Sequence, residues 1–195
     1  MIHLLFPIPV GFFDHSELLA DCLAELSLCS KITNSPSDDV WRILKGSAFN
    51  SLKSTFERRA KEVAESVGRT ESFTVKRGWL QSQRGTSVAT PHTHPWDLLV
   101  AIYYLKVPIG SGDLLLQDPS AGSMWASYDD PLTQSGGNVF KRISPYPGLL
   151  VVHPGHIVHS TLPNTTASQR LCFATDFTSF NPNYNDYSIR PEGLL

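Results

Sequence analysis

Pro91-His92-Thr93-His94-Pro95-Trp96-Asp97, followed at once by the apolar stretch 98–107, is the segment on which the reading of this chain turns. His-x-His places two imidazoles on one face of an extended strand, because strand side chains alternate with a period of two. A second cluster, His153-Pro154-Gly155-His156-Ile157-Val158-His159, follows after a run of β-like sequence, with Arg170 beyond it. Five of the seven histidines fall in these two segments. A third imidazole from a distant strand would close a metal site with the first two, and the pattern therefore predicts a mononuclear metal centre inside a β-structure.

The rest of the chain fits that reading. A length of 195 residues suits one domain with a sizeable core. A net charge of −2 argues against nucleic acid or an anionic membrane as partner. Cys22, Cys29 and Cys172 form no CxxC motif, and an odd count does not read as a disulfide framework. Buried thiols in a reducing compartment are the expectation. The apolar N-terminus, residues 1–10, lacks a basic region and a small-residue cleavage site, and prolines interrupt it. It reads as a first strand rather than a signal peptide. No stretch reaches the ~20 apolar residues of a membrane span, and the expected location is cytoplasmic. Asn164-Thr165-Thr166 matches a glycosylation acceptor but reads as a turn.

Periodicity changes near residue 70. Before it, Leu18, Leu19, Cys22, Leu23 and Leu26 recur at helical spacing, with Asp14 or Ser16 as cap. A turn at 35–39 leads into a short helix with Val40, Trp41 and Leu44. Residues 52–67 form the clearest helix, with Phe56, Ala60, Val63 and Ala64 on one face and Gly68 past its end. After it, strands are predicted at 72–80, 98–107, 113–117, 139–143, 149–153, 157–162 and 169–177, separated by Gly and Pro. The polar segment 118–138 is long enough to be a functional loop. Helices first and short strands after predict a mainly β, α+β domain: a β-sandwich or jelly roll, cupin-like in form, with helices packed on one sheet. The organisation is one domain, with residues 1–70 as strand and helical support, 71–180 as the β core and 181–195 as a tail.

Within the second cluster His159 lies inside a strand-like run and is the best third ligand; His153 and His156 read as scaffold. Asp97 is a fallback oxygen ligand, although His-x-x-Asp is not a same-face spacing. If 157–162 and 169–177 close as a hairpin about Thr165–Thr166, Arg170 lies opposite Thr161. His159, Thr161, Arg170 and Cys172 then share a face. A guanidinium buried among apolar strands needs an anion, and bidentate capture of a carboxylate is what it does best.

These residues resemble a known family. His92-Thr93-His94, then Tyr103-Tyr104-Leu105, Gly112-Asp113-Leu114, Gln117-Asp118-Pro119, Pro147-Gly148-Leu149, His159 and Arg170 follow one another as in 2-oxoglutarate- and Fe(II)-dependent dioxygenases with a double-stranded β-helix core. The small oxygenases with an HxH…YYL…H…R order are most similar, and the prolyl-hydroxylase branch is more distant. The resemblance covers about residues 72–178. It implies Fe(II) held by His92, His94 and His159, with His94 where most of the superfamily carries a carboxylate. It implies 2-oxoglutarate as cosubstrate on Arg170, Tyr104 and Thr161, and O2 as the second small-molecule partner. Ascorbate and a homodimer are compatible with it. Hydroxylation with release of succinate is the implied activity. Trp96, Trp125 and Tyr128 are candidates for the substrate mouth and lid. A cupin-like metal enzyme without 2-oxoglutarate, or a non-catalytic jelly-roll module, would share the fold but would have no need of Arg170.

Overall fold

The structure, a computed structural model, describes residues 8–29, 39–70, 72–95, 97–119 and 140–180. Three helices precede most of the strands: α1 (Leu19–Ser27), entered through a 3-10 turn at Ser16–Leu18, α2 (Val40–Ile43) and α3 (Ser47–Glu65). The strands are β1 (Gly11–Asp14), β2 (Ser72–Gln83), β3 (Leu99–Lys106), β4 (Leu114–Gln117), β5 (Phe140–Ile143), β6 (Leu149–Pro154), β7 (His159–Thr161) and β8 (Arg170–Phe180). They form a five-stranded sheet in the order β1-β6-β3-β8-β2 and a three-stranded sheet in the order β5-β4-β7. All pairings are antiparallel. This is the jelly-roll arrangement expected from the sequence. Strand one lies slightly later than expected: residues 8–10 are irregular and pairing begins at Gly11.

The large sheet is buried on both faces, which is why β3 and β6 read as unbroken apolar runs rather than alternating ones. Alternation is nevertheless strict in three dimensions. Leu99, Ala101, Tyr103 and Leu105 of β3, with Leu150 and Val152 of β6, face the helices and pack with Phe49, Leu52, Phe56 and Ala60 of α3. Val100, Ile102 and Tyr104 of β3, with Leu149 and Val151 of β6, face the small sheet and meet Leu114 and Leu116 of β4. The inner layer is the one that holds the site.

Helix α3 begins five residues before the predicted start. No side chain of its own N-cap, Gly46, satisfies the first turn. Glu25 of α1 does so from outside: its carboxylate accepts hydrogen bonds from the backbone N–H of Gly46 (2.8 Å) and Ala48 (3.1 Å). A carboxylate there also complements the positive end of the helix dipole. At the other end Gly68 adopts φ +79°, the left-handed conformation that terminates a helix without strain.

The hairpin expected between β7 and β8 does not form. β7 pairs with β4 in the small sheet, whereas β8 lies between β3 and β2 in the large one. The connection between them crosses from one sheet to the other. It is held by Asn164, whose buried side chain donates to the carbonyls of Gln83 (3.0 Å) and Ser168 (2.8 Å) and accepts from Thr166. That side chain is committed to the turn. Replacing Glu25 by Ala is expected to lower stability by about 1 kcal/mol, measured by urea unfolding, with metal binding unchanged.

Candidate metal and cosubstrate site

His92 and His159 are directly paired across an isolated antiparallel bridge. The His92 N–H donates to the His159 carbonyl (3.1 Å) and the His159 N–H to the His92 carbonyl (3.0 Å). Residues so paired project their side chains to the same side. One step along, the Thr161 N–H donates to the Ala89 carbonyl (3.1 Å), and residues 89–92 therefore lie beside β7. His94 is not part of a regular strand, contrary to the simple His-x-His reading. Its N–H donates instead to the carbonyl of Gly155 (2.7 Å). A side chain at Gly155 would collide with the Asp97 and His94 carbonyls, and only glycine allows this approach.

The three imidazoles converge. Ring centroids are 4.2 Å apart for His92 and His159, 5.1 Å for His94 and His159, and 5.2 Å for His92 and His94. One ring nitrogen from each lies within 4.8 Å of the others. In each ring Nδ1 meets an acceptor: the Thr90 carbonyl for His92 (2.7 Å), an Asp176 carboxylate oxygen for His94 (2.6 Å) and the Ile157 carbonyl for His159 (3.2 Å). Nδ1 must therefore carry the proton, and Nε2 is left with its lone pair. His94 Nε2 is buried with no hydrogen-bond partner among the described residues. A metal ion fits this trio, since ligating histidines characteristically donate their other N–H to a carboxylate or carbonyl.

Asp176 is the residue that the sequence reading missed. It is fully buried on β8 and accepts from His94 and from Arg77 Nε (2.9 Å). Burial alone would push its carboxyl pKa up, but those two hydrogen bonds outweigh it and hold the group ionised below the usual range. Trp79 stacks on the His94 ring (5.8 Å, 14°) and carries Arg77 on its other contact (5.1 Å). His94, Asp97 and Asp176 also lie close enough to form a second ligand group. Its two carboxylates are already neutralised by Lys76 (2.7 Å to Asp97) and Arg77. That leaves the three-histidine group as the site with uncommitted donors.

The inner face of the sheet extends from this point to Arg170. Successive inward residues of β8 are Asp176, Ala174, Cys172 and Arg170, flanked in register by Arg77, Trp79, Gln81 and Gln83 of β2. His92, His159, Trp79, Tyr104, Thr161, Cys172, Ala174 and Arg170 line one narrow cavity of about 50 Å³. The expected shared face of His159, Thr161, Arg170 and Cys172 therefore exists, but as two sheets facing each other rather than as neighbours in a hairpin. Arg170 is 1% exposed, and among the described residues no carboxylate pairs with it. Its Nε donates to Gln83 Oε1 (2.9 Å), a second N–H donates to the same oxygen, and Nη1 donates to the Gly112 carbonyl (2.6 Å). Gln83 in turn donates to Thr161 Oγ1 (3.1 Å), which also accepts from the Ala89 N–H (2.9 Å). Thr161 thus braces the guanidinium and keeps only its own O–H to donate. Tyr104 faces the cavity, whereas Tyr103 faces the helices and donates to the His15 carbonyl (2.8 Å).

Burial pushes the Cys172 and Cys22 thiols up to about 12, so neither is an activated nucleophile. Burial, and then neighbouring imidazoles, depress His159 to about 3, and burial depresses His153 to about 4. Neutral imidazoles are what a metal requires. His156 is exposed in a turn. Trp96, Trp125 and Tyr128 lie outside the described residues.

The family model described as "Putative 2OG-Fe(II) oxygenase" matches residues 77–176, about half of the chain and nearly all of the site. The chain belongs to the 2OG-Fe(II) oxygenase family. Its cofactor is Fe(II) and its cosubstrates are 2-oxoglutarate and O2. Among solved structures the oxygenase is similar to a Pseudomonas putida prolyl-4-hydroxylase (15% identity, 90% of this chain and 88% of that one, TM-score 0.58). It is similar also to SnoN, a non-heme α-ketoglutarate-dependent epimerase from nogalamycin biosynthesis (15%, 88% and 78%, 0.62). A third is HygX from Streptomyces hygroscopicus with nickel and 2-oxoglutarate bound (13%, 87% and 82%, 0.60). At these identities the likeness is one of fold. No curated protein matches by sequence. No helix among the described residues is long and apolar enough to cross a membrane.

The depressed histidines have a consequence for stability. An unfolded histidine binds a proton below its ordinary value of about 6.5, whereas the folded His153 and His159 do not until about 4 and about 3. Folding is therefore weakened as pH falls through that window. Metal-free protein is expected to lose about 3 kcal/mol between pH 7 and pH 4 on account of His153 alone, read from urea midpoints in the presence of a chelator. Asp176 adds a loss only at lower pH still.

Proposed function

We propose that this oxygenase hydroxylates a C–H bond of its substrate, with decarboxylation of 2-oxoglutarate to succinate. The observation that carries the reading is a cavity lined by His92 and His159, two of three converging imidazoles, and by a buried guanidinium with no carboxylate partner among the described residues. His92, His94 and His159 hold Fe(II). Arg170 receives the distal carboxylate of 2-oxoglutarate, with Tyr104 and the Thr161 hydroxyl beside it. When bound, iron and cosubstrate supply the oxidative chemistry.

Everything else is the work of the chain. The Asp176 carboxylate holds His94 Nδ1–H and so fixes which nitrogen faces the metal. It also places a negative charge one imidazole away from the ion, where a directly ligating carboxylate would otherwise provide it. Gln83 and the Gly112 carbonyl fix the guanidinium in plane and take three of its five N–H groups, which leaves two uncommitted on a residue that lines the cavity. Apolar Val100, Ile102, Leu114 and Ala174 exclude water between the two ends.

The deciding experiment is anaerobic addition of Fe(II) and then 2-oxoglutarate, watching for the visible metal-to-ligand charge-transfer band. Iron binding without the band would favour the cupin-like reading. His159→Ala is expected to abolish iron binding, and unchanged iron content in that variant would overturn the ligand assignment. Arg170→Ala is expected to raise the apparent KM for 2-oxoglutarate about 10- to 100-fold, since a hydrogen bond to a charged group is worth about 1.5–3 kcal/mol. Asp176→Asn should lower iron affinity about 10-fold or more, measured by chelator competition.

A further inference from the structure

A fourth imidazole stands beside the trio and belongs to no part of the reading so far. His153 is fully buried on β6, on the inward face it shares with Leu149 and Val151. Its ring lies 4.7 Å from that of His159, at 61°. In register it neighbours Val100, which itself neighbours Asp176. His153 therefore occupies the same level of the sheet as the carboxylate that holds His94. Its Nδ1 donates to the Pro154 carbonyl (2.9 Å), which fixes the tautomer: Nε2 is an acceptor. That nitrogen is buried with no partner among the described residues.

An unpaired acceptor in an interior is costly and rarely retained without a use. An aromatic hydrocarbon of the same size would fill the space among Val100, Val151 and Ile157 at no such cost. His153 is not in the group whose ligand atoms converge for direct coordination. What it lacks is a donor, and a metal ion held by His92, His94 and His159 would bring one beside His159 as bound water. Resting on the metal assignment above, we propose that His153 is a positioning residue of the metal centre. Its Nε2 accepts a hydrogen bond from a water bound to the ion, and so anchors the ion from outside its three ligands.

The proposal separates from simple packing by the rank order of two variants. His153→Phe keeps the ring and removes the acceptor; His153→Gln gives up the ring but supplies an acceptor oxygen. Nickel affinity, measured by chelator competition without 2-oxoglutarate, should fall about 10-fold in His153→Phe, the usual scale for an outer partner of a metal site. It should recover toward wild type in His153→Gln. Metal-free His153→Phe should also melt higher than wild type, because the orphaned acceptor is gone. In zinc-loaded protein labelled with 15N-histidine, His153 Nε2 should stay unprotonated and off the metal, yet shift on metal addition. Wild-type nickel affinity in His153→Phe, or weaker binding by His153→Gln than by His153→Phe, would overturn the proposal. So would a resonance of the metal-coordinated type. Failure of wild-type protein to bind nickel, or binding that survives His159→Ala, would instead overturn the ligand assignment on which the proposal rests.

Discussion

Two reciprocal backbone hydrogen bonds, between His92 and His159, organise the site. They join the segment entering β3 to the outer strand of the small sheet. They also bring two imidazoles together by a geometry that depends on no side chain. The third imidazole is added by a separate backbone contact, from His94 to Gly155, one residue past the end of the regular β6 pairing with β3. The three-histidine group is therefore held together by main-chain hydrogen bonds, with His94 and His159 buried and His92 at its exposed edge. The ring tautomers are then set by the Asp176 carboxylate for His94 and by the main-chain carbonyls of Thr90 and Ile157 for His92 and His159.

Charge is distributed to match. An all-histidine site brings no negative charge to a divalent ion. Asp176 restores one at the remove of a single imidazole, and the hydrogen bonds from His94 and from Arg77, stacked over Trp79, keep that carboxylate ionised. At the other end of β8 the balance is reversed. Arg170 is a cation without a carboxylate partner among the described residues, braced by neutral oxygens from Gln83 and Gly112. Neutral acceptors orient a guanidinium without cancelling it, which leaves its charge available to an anion.

Much of this was legible in the sequence, and the limits of legibility have physical causes. The strands stood out because Gly and Pro punctuate them, and His92, His94, His159 and Arg170 stood out by type and order. The start of α3 was misplaced because its capping group, Glu25, lies on another helix, and no local signal records it. The β7–β8 hairpin was inferred from a short turn, yet the chain uses that turn to change sheets. Parity survived the error because facing sheets and neighbouring strands both turn alternate residues inward. Asp176 carried a readable signal that went unused: an acid in the apolar run Phe173-Ala174-Thr175-Asp176-Phe177, in phase with Arg170 and Cys172. His153 could be read as buried, but its unpaired nitrogen depends on the Pro154 carbonyl and is invisible without coordinates.

Strand β8 has one more implication. Arg170 and Asp176 are six residues apart on a single continuous strand, a spacing of about 20 Å fixed by backbone pitch. The buried guanidinium and the buried carboxylate that holds His94 are thus graduations on one ruler. A site assembled from loops can be lengthened by insertion; this one cannot, because an added residue would turn every later side chain to the opposite face. The distance between the histidine trio and the guanidinium is therefore written into the fold. Variation in reactivity must come from elsewhere, from the small side chains Ala174 and Cys172 that set the width of the gap and from whatever closes its mouth.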